Sequence, residues 1–234
     1  MRVFYIALVA ASAALQAQAD PDQLYRARTD IARAREAAAI WEARLAADSR
    51  DFESAWKLAR ATYWIGGHDA ASARRAALER GVAAGRRAAA LQPSRPEGHF
   101  WMAANMGALA ESFGLRQGLK YRGPIRDALE TVLRIDPAFQ QGSADRALGR
   151  WHFRVPGLFG GSKKKSEEHL RRSLTYYPES TASRFFLAET LFELGRNGEA
   201  REELNAVLAA PAHPEWEPED LEFKQKARDR LAAR

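Results

Sequence analysis

The sequence predicts an all-α solenoid of tetratricopeptide-like helical hairpins with a C-terminal capping helix, and three observations carry that reading. Alanine, leucine, arginine and glutamate dominate the chain, and these residues lose little side-chain entropy on a helix. Apolar residues recur at spacings of three and four, the helical period, while alternating β-branched runs are absent. Four apolar helix ends run into a proline, at Pro93, Pro137, Pro178 and Pro211, spaced 44, 41 and 33 residues apart. Proline stops a helix because it lacks the amide hydrogen and clashes with the preceding turn. The last spacing is close to the 34 residues of a helix–turn–helix repeat; the longer ones imply insertions of roughly 7 to 10 residues.

The elements follow in order. The opening "MRVFYIALVAASAALQAQAD" has one cation, Arg2, an apolar run to about Leu15, and the small-x-small end Ala17-Gln18-Ala19. It reads as a secretory signal peptide over residues 1–19, cleaved after Ala19 and too short to span a bilayer. The helical-repeat domain then covers 20–234, exported to the periplasm. A first helix or helix pair is expected over about 21–47. Helix pairs are expected over 52–66 with 69–91, 96–113 with 122–134, 139–155 with 164–176, and 181–194 with 197–209.

Two of these pairs carry repeat signatures. In "AWKLARATYWIGG", Trp56, Tyr63 and Gly67 fill the tryptophan, tyrosine and turn-glycine positions, while Arg60 stands where a small residue belongs. In "TASRFFLAETLFELGRNGEAREELNAVL", Leu187, Ala188, Gly195 and Ala200 fill the corresponding positions of a later repeat. A closing helix near 218–233 starts with acids and ends with arginines, which suits the helix dipole, and would cap the stack.

Composition narrows the chemistry. The 234 residues carry a formal charge of +6, which drops by one with Arg2, and contain no cysteine. Disulfides, thiolate metal sites, cysteine nucleophiles and a lipid anchor on cysteine are thereby excluded. A pI of about 9.8 raises nucleic acid as a partner. Stretches such as "AREAAAIWEARLAADSRD" interleave both signs, however, as solvated helix faces do. No nucleic-acid partner is expected.

One stretch tests for an enzyme. "RALGRWHFRVPGLFGGSKKKSEEHLRRSL" has glycines followed by three lysines. A phosphate loop needs G-x-x-x-x-G-K-[ST] after a strand. Counting from Gly157, the second glycine would fall on Ser162, and Lys163 and Lys164 follow with no hydroxyl in place. The stretch instead reads as a corner: Pro156 ends one helix, the glycines reverse the chain, and Ser162 or Ser166 caps the next. The three lysines oppose the dipole of that helix and hint at an anionic contact. The five histidines show no metal-ligand spacing, and no G-x-S-x-G is present. No enzyme activity, cofactor or metal is expected.

Six tryptophans punctuate the helices. Most suit packing between helices. Trp101 with Asn105, and Trp151 among Arg146 and Arg150, lie on expected inner helices. Arginine beside an aromatic ring suits a carboxylate with an apolar body, so these five residues form the expected ligand or partner groove.

"GHFWMAANMGALAESFG", "GLKYRGPIRDALETVLRIDP" and the 146–174 stretch together resemble the T-component family of TRAP transporters. The resemblance runs from about Ala55 to Leu208, and its most distinctive part is the "LGRWHFRVPGLFGG" corner. It implies a periplasmic all-helical repeat protein without enzymatic activity that associates with the solute-binding subunit of a tripartite ATP-independent transporter. It further implies a cavity for an apolar or carboxylated solute and a capacity to form homo-oligomers. Members are often lipoproteins, and this chain lacks the cysteine. "LGRWHFRV" is also similar to the repeat proteins called regulators of microtubule dynamics, a similarity that bears on fold. A general periplasmic scaffold for protein–protein contacts and an unrecognised enzyme stand as the alternatives.

Overall fold

Helices stack in chain order as consecutive hairpins in the computed structural model, which describes residues 19–233. The signal-peptide reading concerns residues 1–18 almost entirely and lies outside the described residues. The elements are α1 (Pro21–Arg26), α2 (Ile31–Ala47), α3 (Phe52–His68), α4 (Ala71–Leu91), α5 (Pro96–Ser112), α6 (Leu115–Ile135), α7 (Phe139–Arg154), a 3₁₀ turn (Gly157–Phe159), α8 (Lys163–Tyr176), α9 (Thr181–Glu193), α10 (Asn197–Ala209) and α11 (Glu217–Ala232). Each helix packs on its neighbour in sequence, and α3, α5, α7 and α9 also pack on one another in turn. These alternate helices form the inner wall, as in a tetratricopeptide-like solenoid. Among the described residues there is no strand.

Local chemistry sets the boundaries. Asp20, Asp30, Asp51, Ser162 and Ser180 each accept a backbone N–H at the start of their helices, satisfying donors the helix leaves orphaned. Pro96 opens α5, where its missing N–H costs nothing. Small residues then let helices close. A Cβ on Gly85 would stand 2.7 Å from the Met102 backbone nitrogen, and one on Gly98 would stand 2.4 Å from that of Ala89. Helices α4 and α5 therefore meet backbone to backbone, at a distance only glycine permits.

Two expected boundaries are corrected. The helix expected over 122–134 begins seven residues earlier, at Leu115, and carries Pro124 inside it. Pro124 is exposed, which lets solvent reach the backbone group it leaves unpaired and lowers the usual cost of an interior proline. Within α7, Gln140, Gln141 and Gly142 take φ of 44°, 62° and 74°, so a left-handed turn precedes the regular helix. Such φ values are uncommon for glutamine, and both glutamines lie at the rim of the cleft described below.

The apolar interior runs through the helices α1 to α7 as one cluster centred on Trp41, Leu78, Leu109, Leu129 and Leu148. A second, around Leu170, Leu187, Leu191 and Leu204, is covered by α11 through Ala227 and Phe223. Helix α11 thus caps the stack. Arg60 is accommodated against aromatic rings: its guanidinium lies 4.3 Å from the Tyr25 ring centroid and 4.9 Å from that of Trp56.

The stack also closes on itself. Arg28, just after α1, donates to Glu219 of α11 through Nε at 3.1 Å and to the Glu215 carbonyl through Nη2 at 2.9 Å. His68, at the end of α3, meets Glu222 at 2.6 Å. The segment after α1 and the end of α3 are therefore tied to α11, and the cleft lies between these ends and the other inner helices.

Candidate functional site

The inner helices enclose one large cleft of about 1190 Å³. Its wall is mostly aromatic and aliphatic, with Tyr63 of α3, Trp101 of α5, Trp151 of α7, Phe185 of α9 and Phe223 of α11 among the contributors. Periodicity puts them there, since each faces inward from its helix while the other faces pack against the second helix of a hairpin. Small residues on α5, Ala104, Gly107 and Ala108, keep the middle of the cleft open.

Arg146 is the charged group of this wall that the fold leaves unused. It is half-buried and lines the cleft, and among the described residues it makes neither a hydrogen bond nor an ion pair. Burial pushes its pKa down, with Tyr63 and Asp220 opposing that shift from longer range. An arginine keeps its proton even so. Asp220 is committed elsewhere: it accepts from Thr181 Oγ1 and from the His213 backbone N–H. Trp101 lines the same cleft, and its indole Nε1 is buried without a partner. A desolvated cation and an indole donor in an apolar cleft can together hold an anionic group attached to an apolar body.

The other expected groove residues divide. Arg150 lines the cleft but is spent on structure: Nε donates to Glu111 of α5 at 3.0 Å and Nη1 to Glu189 of α9 at 2.8 Å. It ties three successive inner helices together. Trp151 contributes its ring to the wall while its Nε1 donates to the Arg122 carbonyl of α6 at 2.8 Å. Asn105 is a correction, because it does not reach the cleft. It is 0 % exposed, and its Nδ2 donates to the carbonyls of Ala59 at 2.9 Å and Trp101 at 2.8 Å. A Cβ on Gly81 would stand 2.1 Å from its Oδ1. The missing side chain at Gly81 makes the room that Asn105 fills, and its amide joins α3 to α5.

The glycine–lysine stretch is a corner. Gly160 has φ 100°, and a Cβ on Gly161 would fall 1.6 Å from the Val155 carbonyl oxygen. Ser162 caps α8, while Ser166 is buried against Thr190. Lys163 donates to the Phe153 carbonyl at 2.8 Å and lies over the Phe153 ring. That places its charge at the C-terminal end of α7, where a cation is favoured.

Sequence reasoning missed a polar cluster behind this corner. His169 Nδ1 is 2.7 Å from Asp145 Oδ1, and the His152 ring stacks on that of His169 with centroids 5.4 Å apart. Burial, then His169 and Lys165, push the pKa of His152 down to about 4. No sequence spacing joins these three residues, since the contact exists only once α7 and α8 are paired. Among the described residues no three His, Asp or Glu side chains converge on a metal position. None of the described helices is long and apolar enough to cross a membrane.

A family model described as "Regulator of microtubule dynamics protein 1-3" matches residues 17–164, and a tetratricopeptide repeat model matches residues 164–217. No curated protein sequence matches. Among solved structures, TTC0263, a thermophilic tetratricopeptide-repeat protein of Thermus thermophilus, aligns at 20% identity with a TM-score of 0.67, over 91% of this chain and 95% of that one. A MamA crystal structure aligns at 14% identity with a TM-score of 0.53, over 87% and 95%. At these identities the likeness is one of fold: an all-α tetratricopeptide-like solenoid, an architecture suited to protein–protein interaction.

Proposed function

The chain belongs to the family described as regulator of microtubule dynamics protein 1-3, and from that premise we propose that it is a non-enzymatic binding protein whose closed cleft holds an apolar ligand by its anionic end. The observation that carries this reading is Arg146, a half-buried guanidinium without a partner in an apolar wall. The cleft exceeds the roughly 300–1,000 Å³ of ordinary small-molecule sites, which leaves room for a long-chain carboxylate or the end of a partner's helix. Arg146 would pair with the carboxylate, Trp101 Nε1 would donate a second hydrogen bond, and the rings would cover the chain.

Titration with decanoate and with decanol, against the unaltered chain and Arg146→Gln, tests this. Losing a charged hydrogen bond costs ~1.5–3 kcal/mol, so Arg146→Gln should weaken decanoate binding by about 10- to 100-fold and leave decanol unchanged. Equal loss for both ligands, or for neither, contradicts the assignment.

The compartment we propose is the periplasm, reached by cleavage after Ala19, on the strength of the "MRVFYIALVAASAALQAQAD" leader. The microtubule role in the family's name is not carried over, because an exported protein would not meet a microtubule. A narrower reading makes the protein an accessory of TRAP-type uptake that docks on the periplasmic solute-binding subunit. It rests on the sequence resemblance and on a cleft large enough for a solute. Co-purification of the exported protein with that subunit supports it; recovery of the exported protein without the subunit removes it.

A further inference from the structure

Two acid-free basic segments of this chain lie against each other, and Leu115, Arg122, Arg150, Arg154 and Phe159 in them also line the cleft. Residues 115–126, the first half of α6, contain Arg116, Lys120, Arg122 and Arg126 and no acid. Residues 150–165, from the end of α7 across the corner into α8, contain Arg150, Arg154, Lys163, Lys164 and Lys165 and again no acid. The two segments adjoin: the Arg122 guanidinium lies 5.3 Å from the Phe159 ring centroid, and Trp151 is bonded to the Arg122 carbonyl. Ion pairs in them are confined to Arg126, Arg150, Arg154 and Lys163. Arg116, Lys120, Arg122, Lys164 and Lys165 face no carboxylate at ion-pair distance among the described residues.

Large apolar side chains stand out from this same surface. Leu158, at the tip of the corner, is 89 % exposed, and Leu115, at the start of α6, is 68 % exposed. They are the two most exposed of the large hydrophobic side chains among the described residues. Phe159, beside Leu158, is itself partly exposed. The corner is held firmly, with Gly161 wedged against Val155 and the Ser162 N–H bonded to the His152 carbonyl at 3.0 Å. Leu158 is therefore displayed on a braced loop, and its exposure costs free energy in water that a packed position would have avoided.

We propose that this face docks on an anionic phospholipid bilayer, with Leu158 and Leu115 entering the headgroup–acyl boundary and the unpaired cations lying against the lipid phosphates. Apolar side chains within a ring of lysine and arginine are the combination such a surface selects: each cation near it contributes about 1 kcal/mol and each buried methylene adds to the attachment. The attachment is peripheral and salt-sensitive. It gives a chain without cysteine a way to reside at a membrane.

Vesicle co-sedimentation of the full chain tests it, using equal parts phosphatidylglycerol and phosphatidylcholine against phosphatidylcholine alone. The apolar N-terminal stretch is common to every variant, so the readout is the difference between variants and between vesicles. The unaltered chain should favour the anionic vesicles and lose that preference in high salt. Lys164→Gln with Lys165→Gln should weaken anionic binding by about 25-fold. Leu158→Ser should weaken it by about tenfold with an unchanged melting temperature, since Leu158 packs on little. Equal uptake by both vesicle types overturns the proposal. So does a Leu158→Ser chain that binds like the parent, which would reduce the patch to a basic surface for some other polyanion.

Discussion

Arg28 and Glu219 stand 191 residues apart in the chain and share a bidentate ion pair, Nε to Oε1 at 3.1 Å and Nη2 to Oε2 at 2.5 Å. Arg28 is only 4 % exposed and lies 5.1 Å from the ring centroids of both Tyr25 and Trp64. The contact shuts the solenoid into a closed turn. Glu219→Ala leaves that guanidinium buried with the Glu215 carbonyl as its remaining hydrogen-bond acceptor. Breaking a buried pair from one side costs ~3–5 kcal/mol, less where one partner is partly exposed. A loss of about 2 kcal/mol in urea denaturation is expected, and Arg28→Met combined with Glu219→Leu should recover most of it.

The second closing contact depends on pH. Both nitrogens of His68 face acceptors, the Trp64 carbonyl at 2.8 Å and Glu222 at 2.6 Å, an arrangement that favours the cationic ring over the neutral one. Burial opposes its charge, but the hydrogen bonds to Glu222 and to Trp64 outweigh burial and raise its pKa. A raised folded pKa gives stability that is fully present below the unfolded value of about 6.5 and lost as pH rises through the folded value. The stability difference between the parent and His68→Gln should therefore shrink from pH 6 toward pH 8.5. A difference that is flat across this range refutes the contact.

His152 behaves in the opposite sense. Its folded pKa of about 4 lies below the unfolded value, so the unfolded chain takes up a proton first and stability falls as pH drops from about 6.5 toward 4. His152→Gln should flatten that acid-side decline. NMR titration of the ring should place its midpoint near 4, and a midpoint near 6.5 contradicts the packing described for α7 and α8.

Much of this was legible from residue patterns, and what was not has a common cause. Hairpin order, the corner at Pro156 to Gly161 and the capping role of α11 follow from local signals: helical period, proline stops and dipole-matched charge. The early start of α6 was hidden by "GLKYRGP", in which glycines and Pro124 are weak helix formers, so propensity was overridden by packing. Within the site, spacing put Trp101, Arg146, Arg150 and Trp151 on inner faces and could not distinguish a spare charge from a spent one. Arg146 and Arg150 lie one helical turn apart and look alike in sequence. Only Glu111 and Glu189, each 39 residues from Arg150, make the difference. Asn105 was misassigned for the same reason, because the glycine that admits it belongs to a different helix.

Arg150→Ala should accordingly act on stability. Its two carboxylate partners are partly exposed, so ~1–3 kcal/mol is the expected cost. Arg150→Lys should recover little, since one ammonium cannot bridge Glu111 and Glu189 together. Ligand affinity of the folded fraction, measured by titration below the melting transition, should be unchanged.

The central claim is that the closed cleft is the binding site, and indole NMR tests it most directly. Trp101 lines the cleft and its Nε1 is unpartnered, whereas Trp41 is buried in the packed interior beside Tyr25. On titration with decanoate, the Trp101 indole resonance should move saturably while that of Trp41 stays in place, and Arg146→Gln should abolish the movement. A Trp101 resonance that stays fixed, or one that moves equally in the Arg146→Gln chain, contradicts the account.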